Sequence, residues 1–309
     1  MYVNAYDPAA QLGGFFRLGN RANEGTGEMT VCLYLPDGRV AFMFERPAVA
    51  TNDAFDAAGL RFDVVRPFEE LQVSYTGEVL VLDDPLVLAD PRRAFTSSPR
   101  QPCRAELVLT GTSIPYGGEA EGRGEAPGEE FARGHYEQLV EARGTLELGA
   151  ERLTLAGFGL RDHSWGPRTW QAPWYYRWLT GNVGAQAGFM VSRIARRDGP
   201  GTRAGFVWED GTLHLCDQAE VSTTWQGPER HHARIDATVA GGGRRWHVTG
   251  EVLRLVPLRN RRRDPGGNLQ VTRISEGLTR WSLDDGRVGY GWSEYLDQIV
   301  AGQPVGVAE

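Results

Sequence analysis

The sequence predicts a predominantly antiparallel β protein, and three observations carry that reading. Short runs rich in β-branched and aromatic residues follow one another along all 309 residues. Many are joined by two-residue glycine turns, and the 40 glycines gather mostly at turns. No segment shows the 3.6-residue periodicity of a long amphipathic helix. Strands at such regular spacing build barrels or sandwiches, and closing a barrel removes the edges that a strand-rich chain otherwise exposes.

Taken in order, residues 28–45, EMTVCLYLPDGRVAFMFE, form a hairpin turning at Asp37-Gly38. Short helical turns are expected over Asn52–Ala58 and Asp90–Ala94. Between them, LQVSYTGEVLVLDD repeats the hairpin plan around Thr76-Gly77. Residues 111–134, acidic, glycine-rich and unpatterned, read as a solvated surface loop or a lid over a pocket. Residues 135–160 supply two more strands with a turn near Gly149, and further runs follow from residue 175. Those turn at Asp210-Gly211, at the triple glycine 241–243 and at Asp285-Gly286, while the basic run RNRRRDPGG at 259–267 reads as an exposed turn.

The chain is long enough for one sizeable core or two of roughly 150 residues each. A net charge of -7 argues against a nucleic-acid partner. All 33 basic residues are arginine, which excludes a Schiff-base lysine. Cys32, Cys103 and Cys216 are far apart and have no zinc spacing, so the expectation is a reduced protein with no metal and no cofactor. The opening stretch MYVNAYDPAAQLGG has neither a charged leader nor an apolar core, and no apolar run is long enough to span a membrane. A cytoplasmic location is expected, with a small molecule as the partner.

Chemistry concentrates in residues 157–170, GFGLRDHSWGPRTW. In a regular strand Arg161, His163 and Trp165 face one side and Asp162 and Ser164 the other, while the glycines at 157, 159 and 166 point to a bend or bulge. Asp162 and His163 offer a proton donor and acceptor, making them candidate catalytic residues. Trp165, Trp170, Trp174, Tyr175, Tyr176 and Trp178 follow closely, and aromatic faces bind apolar ligands and stabilise developing cations. An acid beside an aromatic wall is what alkene protonation requires. A polar plug that locks a barrel end would use the same residues, so the motif reads as a reaction centre or a structural lock.

Weaker candidates lie elsewhere. His135, at the start of a polar strand, could complete a site, and Trp292 and Glu294 share a strand face with Tyr290. His214, His231, His232 and His247 lack metal-ligand spacing. The chain has no GxSxG elbow, P-loop, GxGxxG or HExxH, which leaves a cofactor-free lyase or isomerase and a non-catalytic carrier of apolar ligands.

The segment GFGLRDHSWG resembles the Gly-x-x-Asp-His-Asn-Trp-Gly motif of the carotenoid 1,2-hydratase (hydroxyneurosporene synthase) superfamily, whose relatives include lipocalin-like pericyclases. HYEQ, GLRDHSWGPRTW and the terminal GYGWSEY extend the likeness over roughly the last 175 residues, towards a bacterial branch with paired domains of unknown function. The resemblance implies two tandem lipocalin-like β-barrels, here 1–155 and 156–309, with the motif near their junction. It also implies protonation of an alkene by Asp162 with His163 beside it. Arg161 or Arg168 would orient the acid or a polar substrate end. Trp165, Trp170, Trp174, Tyr175 and Trp178 would line the wall, with His135, Trp292 and Glu294 as further binding residues. Ser164 stands where the hydratases have asparagine, which leaves hydration, dehydration, isomerisation and cyclisation open. The expected substrate is an isoprenoid, steroid-like or polyketide compound.

Overall fold

Alternating apolar residues become strands wherever one face of the run can be buried, and this chain does little else. In the computed structural model, described over residues 1–119, 131–198, 201–264 and 266–308, 69% is strand and 6% helix. Two compact units form, one from Met1–Tyr116 and Tyr136–His163, the other from Gly117–His135 and Ser164–Glu309.

The first sheet contains β1 (Tyr2–Asp7), β2 (Leu12–Arg21), β3 (Thr26–Tyr34), β4 (Val40–Glu45), β5 (Phe55–Ala57), β6 (Leu60–Arg66), β7 (Glu70–Leu82), β8 (Arg100–Gly111), β9 (Tyr116–Glu119), β10 (Gly134–Leu148) and β11 (Glu151–Trp165), with the helix α1 (Pro91–Ser97) between β7 and β8. Its order is β4-β3-β2-β1-β11-β10-β8-β7-β6-β5, and β4 also pairs with β7 from Val40↔Leu82 to Phe42↔Leu80. That last pairing closes an eight-stranded barrel. Leu18, Met29, Val31, Leu60, Leu71 and Val79 fill the core with no exposed surface. A cavity of about 20 Å³ between Val3, Phe16, Leu33, Leu107 and Leu155 has room for one water.

The second sheet contains β12 (Tyr175–Asn182), β13 (Ala187–Ala195), β14 (Thr202–Glu209), β15 (Thr212–Cys216), β16 (Gln218–Gln226), β17 (His231–Gly241), β18 (Arg244–Arg263), β19 (Leu269–Leu283), β20 (Val288–Val300) and the short β21 (Gln303–Pro304). Its order is β15-β14-β13-β12-β20-β19-β18-β17-β16, with β21 on β20, and it curls into a half-barrel. Leu179, Phe189, Ala237 and Trp281 pack its concave core. A second cavity of about 20 Å³ lies between Phe189, Val207, Val239 and Leu283. Among the described residues no helix is long and apolar enough to cross a membrane.

The turns at Gly38, Gly211, Gly242 and Gly286 all have positive φ and join the expected antiparallel neighbours. Elsewhere the structure corrects the sequence reading. Thr76-Gly77 is no turn, because β7 runs through it and pairs without interruption with β8. Gly77 is there to make room, since a Cβ would sit 2.5 Å from the Tyr75 hydroxyl. Residues 52–58 are not helical: Phe55–Ala57 is β5, paired with β6. Asp90 does cap a helix, accepting from the Arg93 amide at 3.2 Å. The run 259–267 is largely strand, with β18 continuing to Arg263 and pairing with β19 up to Arg263↔Leu269. Of the 111–134 segment, Gly111 ends β8 and 116–119 form β9, while 120–130 lie outside the described residues. A boundary after residue 155 would cut β11, which is unbroken to Trp165.

The glycines of the central motif do not bulge the strand. β1 and β11 pair in continuous register from Tyr2↔Asp162 to Tyr6↔Phe158. A Cβ on Gly159 would lie 1.8 Å from the Asn4 carbonyl oxygen, so only glycine lets β1 approach this closely. Asp7 secures the other end by accepting from the Ala156 amide at 2.9 Å.

Candidate functional site

β11 carries the motif, and its two faces hold different chemistry. Val3, a core residue, is the register partner of Arg161, so Arg161 points to the barrel interior. Asp162 pairs with Tyr2 and points outward. Strand alternation therefore puts Asp162 and His163 on opposite faces rather than side by side.

On the outward face, Asp162 is half-buried and Glu137 of β10 has no exposed surface. A carboxylate oxygen of one lies within 4.8 Å of a carboxylate oxygen of the other. Around them Asn4 accepts from the Leu160 amide at 3.0 Å and donates to the Tyr2 hydroxyl at 3.3 Å. His135 stands two positions before Glu137 in β10, on the same strand face. Two adjacent carboxyl groups in a water-poor setting can give, take and pass protons, and oxygen donors of this kind also hold cations.

Glu137 was not singled out from the sequence. The HYEQ stretch drew notice for its histidine, and nothing local marks which of its polar residues faces the acid one strand away.

On the inward face, Arg161 is 3% exposed. It donates to the Tyr136 hydroxyl at 2.6 Å, and its guanidinium carbon lies 5.3 Å from the Tyr136 ring centre and 5.4 Å from that of Phe68. His163 packs edge-on against Tyr136 and Phe55, with ring centres 5.6 and 5.4 Å apart. These side chains close the end of the first barrel.

In the second unit the aromatic run divides among several settings. Trp165 donates to Glu119 at 2.9 Å. Arg168 donates to Ser164 Oγ at 2.8 Å and lies over Phe131 and Trp170, 4.4 and 4.9 Å from their ring centres. Trp174 lies under Arg197, and Tyr175 lies beneath Arg177 on the concave face of the half-barrel. Trp178 and Tyr176 point the other way. Trp178 is the register partner of Glu294, which in turn pairs with Glu276, so one row crosses β12, β20 and β19. The Tyr176 hydroxyl donates to Glu294, and Trp292, fully buried, shares their face. Trp178, Trp292 and Glu294 are thus together, whereas Trp174 and Tyr175 are elsewhere.

The concave face holds a polar centre that the sequence did not reveal. Arg177 donates to Asp297 at 3.0 Å, and Arg273 approaches the other Asp297 oxygen at 3.5 Å. His232 stacks on Tyr295 with ring centres 4.0 Å apart and meets Ser293 Oγ at 2.9 Å. Burial, with the charge of Arg177 beside it, pushes the His232 imidazole well below its ordinary pKa.

Among solved structures, the chain is similar to kievitone hydratase from Nectria haematococca, at 8% identity and a TM-score of 0.57, over 97% of this chain and 88% of that one. It is also similar to an AttH-like protein from Nitrosomonas europaea, at 13% identity and a TM-score of 0.53, over 95% and 90%. A third structure, CghA, is 13% identical with a TM-score of 0.50, over 96% and 86%. At these identities the likeness is one of fold. No curated protein matches the sequence. The family described as Domain of unknown function (DUF7064) matches residues 1–299, and the chain belongs to that family.

Proposed function

We propose that this protein is a cofactor-independent acid–base enzyme of the hydratase type, acting on an unsaturated apolar small molecule such as an isoprenoid, steroid-like or polyketide compound. The observation that carries the reading is the Asp162–Glu137 pair, two carboxyl groups within 4.8 Å on one barrel face. In this scheme Asp162 gives its proton to one alkene carbon, and water adds to the carbon left electron-poor. The proton lost by that water goes to Glu137 and from there returns to Asp162. The net change is one water added across one double bond. Capture of the cation by an internal alkene, or loss of a different proton, turns the same first step into cyclisation or isomerisation.

One comparison supports an enzyme over a carrier. A structural neighbour is itself named a hydratase. His163 has no part in this scheme, since it lies on the other face of β11 beside Tyr136.

The test is incubation with prenylated phenols and linear isoprenoid alkenes in D₂O, read by mass spectrometry. Expected is a product heavier by one D₂O, or a substrate carrying carbon-bound deuterium. Asp162→Asn should lower that rate by about 10²-fold or more. Turnover undiminished in Asp162→Asn and Glu137→Gln would overturn the scheme.

A further inference from the structure

Three arginines are buried among the described residues: Arg161, Arg177 and Arg273. Two of them share the Asp297 carboxylate. Arg161 differs. Among the described residues no carboxylate pairs with it, its one hydrogen bond goes to the neutral Tyr136 hydroxyl, and its buried Nε has no acceptor. A buried charge without a counter-ion is expensive, and the faces of two rings offset only part of that cost.

We propose that the closed end of the first barrel is a binding site for an organic carboxylate on a flat aromatic or unsaturated skeleton, with Arg161 as its anion partner. The guanidinium fork takes the carboxylate through paired N–H donors, a geometry suited to arginine. The skeleton lies among the rings of Phe55, Phe68, Tyr136 and His163.

Access runs through Phe68. Its ring lies 5.1 Å from Tyr136 and covers the guanidinium, yet the residue is 40% exposed. It sits between β6 and β7 at φ 61°, a conformation that costs a bulky residue energy. Gln138 anchors its carbonyl, donating at 2.9 Å, so rotation of the side chain alone, with the backbone fixed, would uncover the guanidinium. Val64 and Val65, 47% and 49% exposed, make the same hairpin end apolar towards solvent and suited to an apolar skeleton.

This site is on the opposite face of β11 from the Asp162–Glu137 pair, so it stands or falls independently of the hydratase reading. The test is calorimetric titration of the whole protein with trans-cinnamate and, as a neutral counterpart, cinnamyl alcohol. Expected is saturable cinnamate binding with the alcohol at least about tenfold weaker, and loss of cinnamate binding in Arg161→Met. Should that variant fail to fold, Arg161→Lys keeps the charge without the fork and should bind about tenfold more weakly. In the unmodified protein, cinnamate should shift the ring resonances of Phe55, Phe68 and Tyr136. Equal binding of acid and alcohol, shifts confined to other rings, unchanged affinity in the Arg161 variants, or no binding at millimolar cinnamate would each overturn the proposal. The D₂O experiment reads the other face separately.

Discussion

The Arg177 guanidinium donates to the Asp297 carboxylate across 3.0 Å, and the two residues are 4% and 0% exposed. The pair also clamps the end of the chain: Arg177 donates to the Gly306 carbonyl at 2.8 Å, and the Gly306 amide donates to Asp297 at 2.9 Å. Arg273 completes a two-cation, one-anion centre. Removing the anion would leave two guanidinium groups buried together. Asp297→Asn should therefore cost about 3–5 kcal/mol. Chemical denaturation of the variant beside the unmodified protein measures this. A loss under about 1 kcal/mol would mean that the centre is not energetically coupled.

Gly159→Ala should destabilise the first barrel by about 1–3 kcal/mol, because its methyl would occupy the space of the Asn4 carbonyl oxygen. The strand has to shift to accept it, and Asp162 moves with the strand. A fall in melting temperature together with lower turnover is the expected pattern. An unchanged melting temperature would refute the close-approach account of this glycine.

Stability of the second unit should fall on acidification. Burial, helped by the positive charge of Arg273, lowers the His231 pKa from 6.5 to about 4. The unfolded chain takes up this proton below pH 6.5 while the folded chain resists until about pH 4. Stability is thus fully present above pH 6.5 and is lost as pH falls through that window. His231 accounts for a loss on the order of 3 kcal/mol, and His232, shifted in the same direction, adds to it. Denaturation midpoints measured from pH 7 to pH 4 should decline, with a shallower slope in His231→Gln. Parallel slopes would assign the decline to other groups.

The thiols should be inert in the folded state. Cys32, Cys103 and Cys216 are all buried, and burial pushes Cys103 up to about 12 and Cys216 to about 11. The thiolate is the reactive form, so a disulfide-exchange reagent at pH 8 should label none of the three until denaturant is added. Labelling of one thiol per chain without denaturant would show that a strand opens locally.

His163→Ala should leave the Asp162-dependent deuterium uptake within a few-fold of normal, since β11 directs the two side chains to opposite faces. An Asp162–His163 dyad would instead lose turnover by about 10²-fold. Comparing the two single variants on one substrate decides between these outcomes.

Much of this molecule is legible locally. A strand alternates with a period of two, so writing out Arg161-Asp162-His163 already separates Asp162 from its neighbours. Asp-Gly pairs favour the positive φ of tight turns, and Gly38, Gly211 and Gly286 all have it. Thr76-Gly77 was misread because glycine in a strand also serves packing, here against the Tyr75 hydroxyl, and local composition does not separate the two uses. Alternation along one strand puts Trp292 and Glu294 on a common face, but only the β12–β20 register sets Trp178 beside Glu294, and Tyr175 falls on the other face.

The sequence by itself determined the strand character, most of the turns and the two faces of β11, because each depends on residues close together in the chain. Tertiary structure decided the rest. The β4–β7 pairing that closes the first barrel joins Val40 to Leu82. Glu137 meets Asp162 only because β10 and β11 lie side by side in one particular register. Asp297 neutralises Arg177 across 120 residues of chain, while among the described residues Arg161 meets the Tyr136 phenol and the Phe68 ring. Partners that far apart are chosen by strand register and barrel closure, and no local pattern of residues encodes that choice.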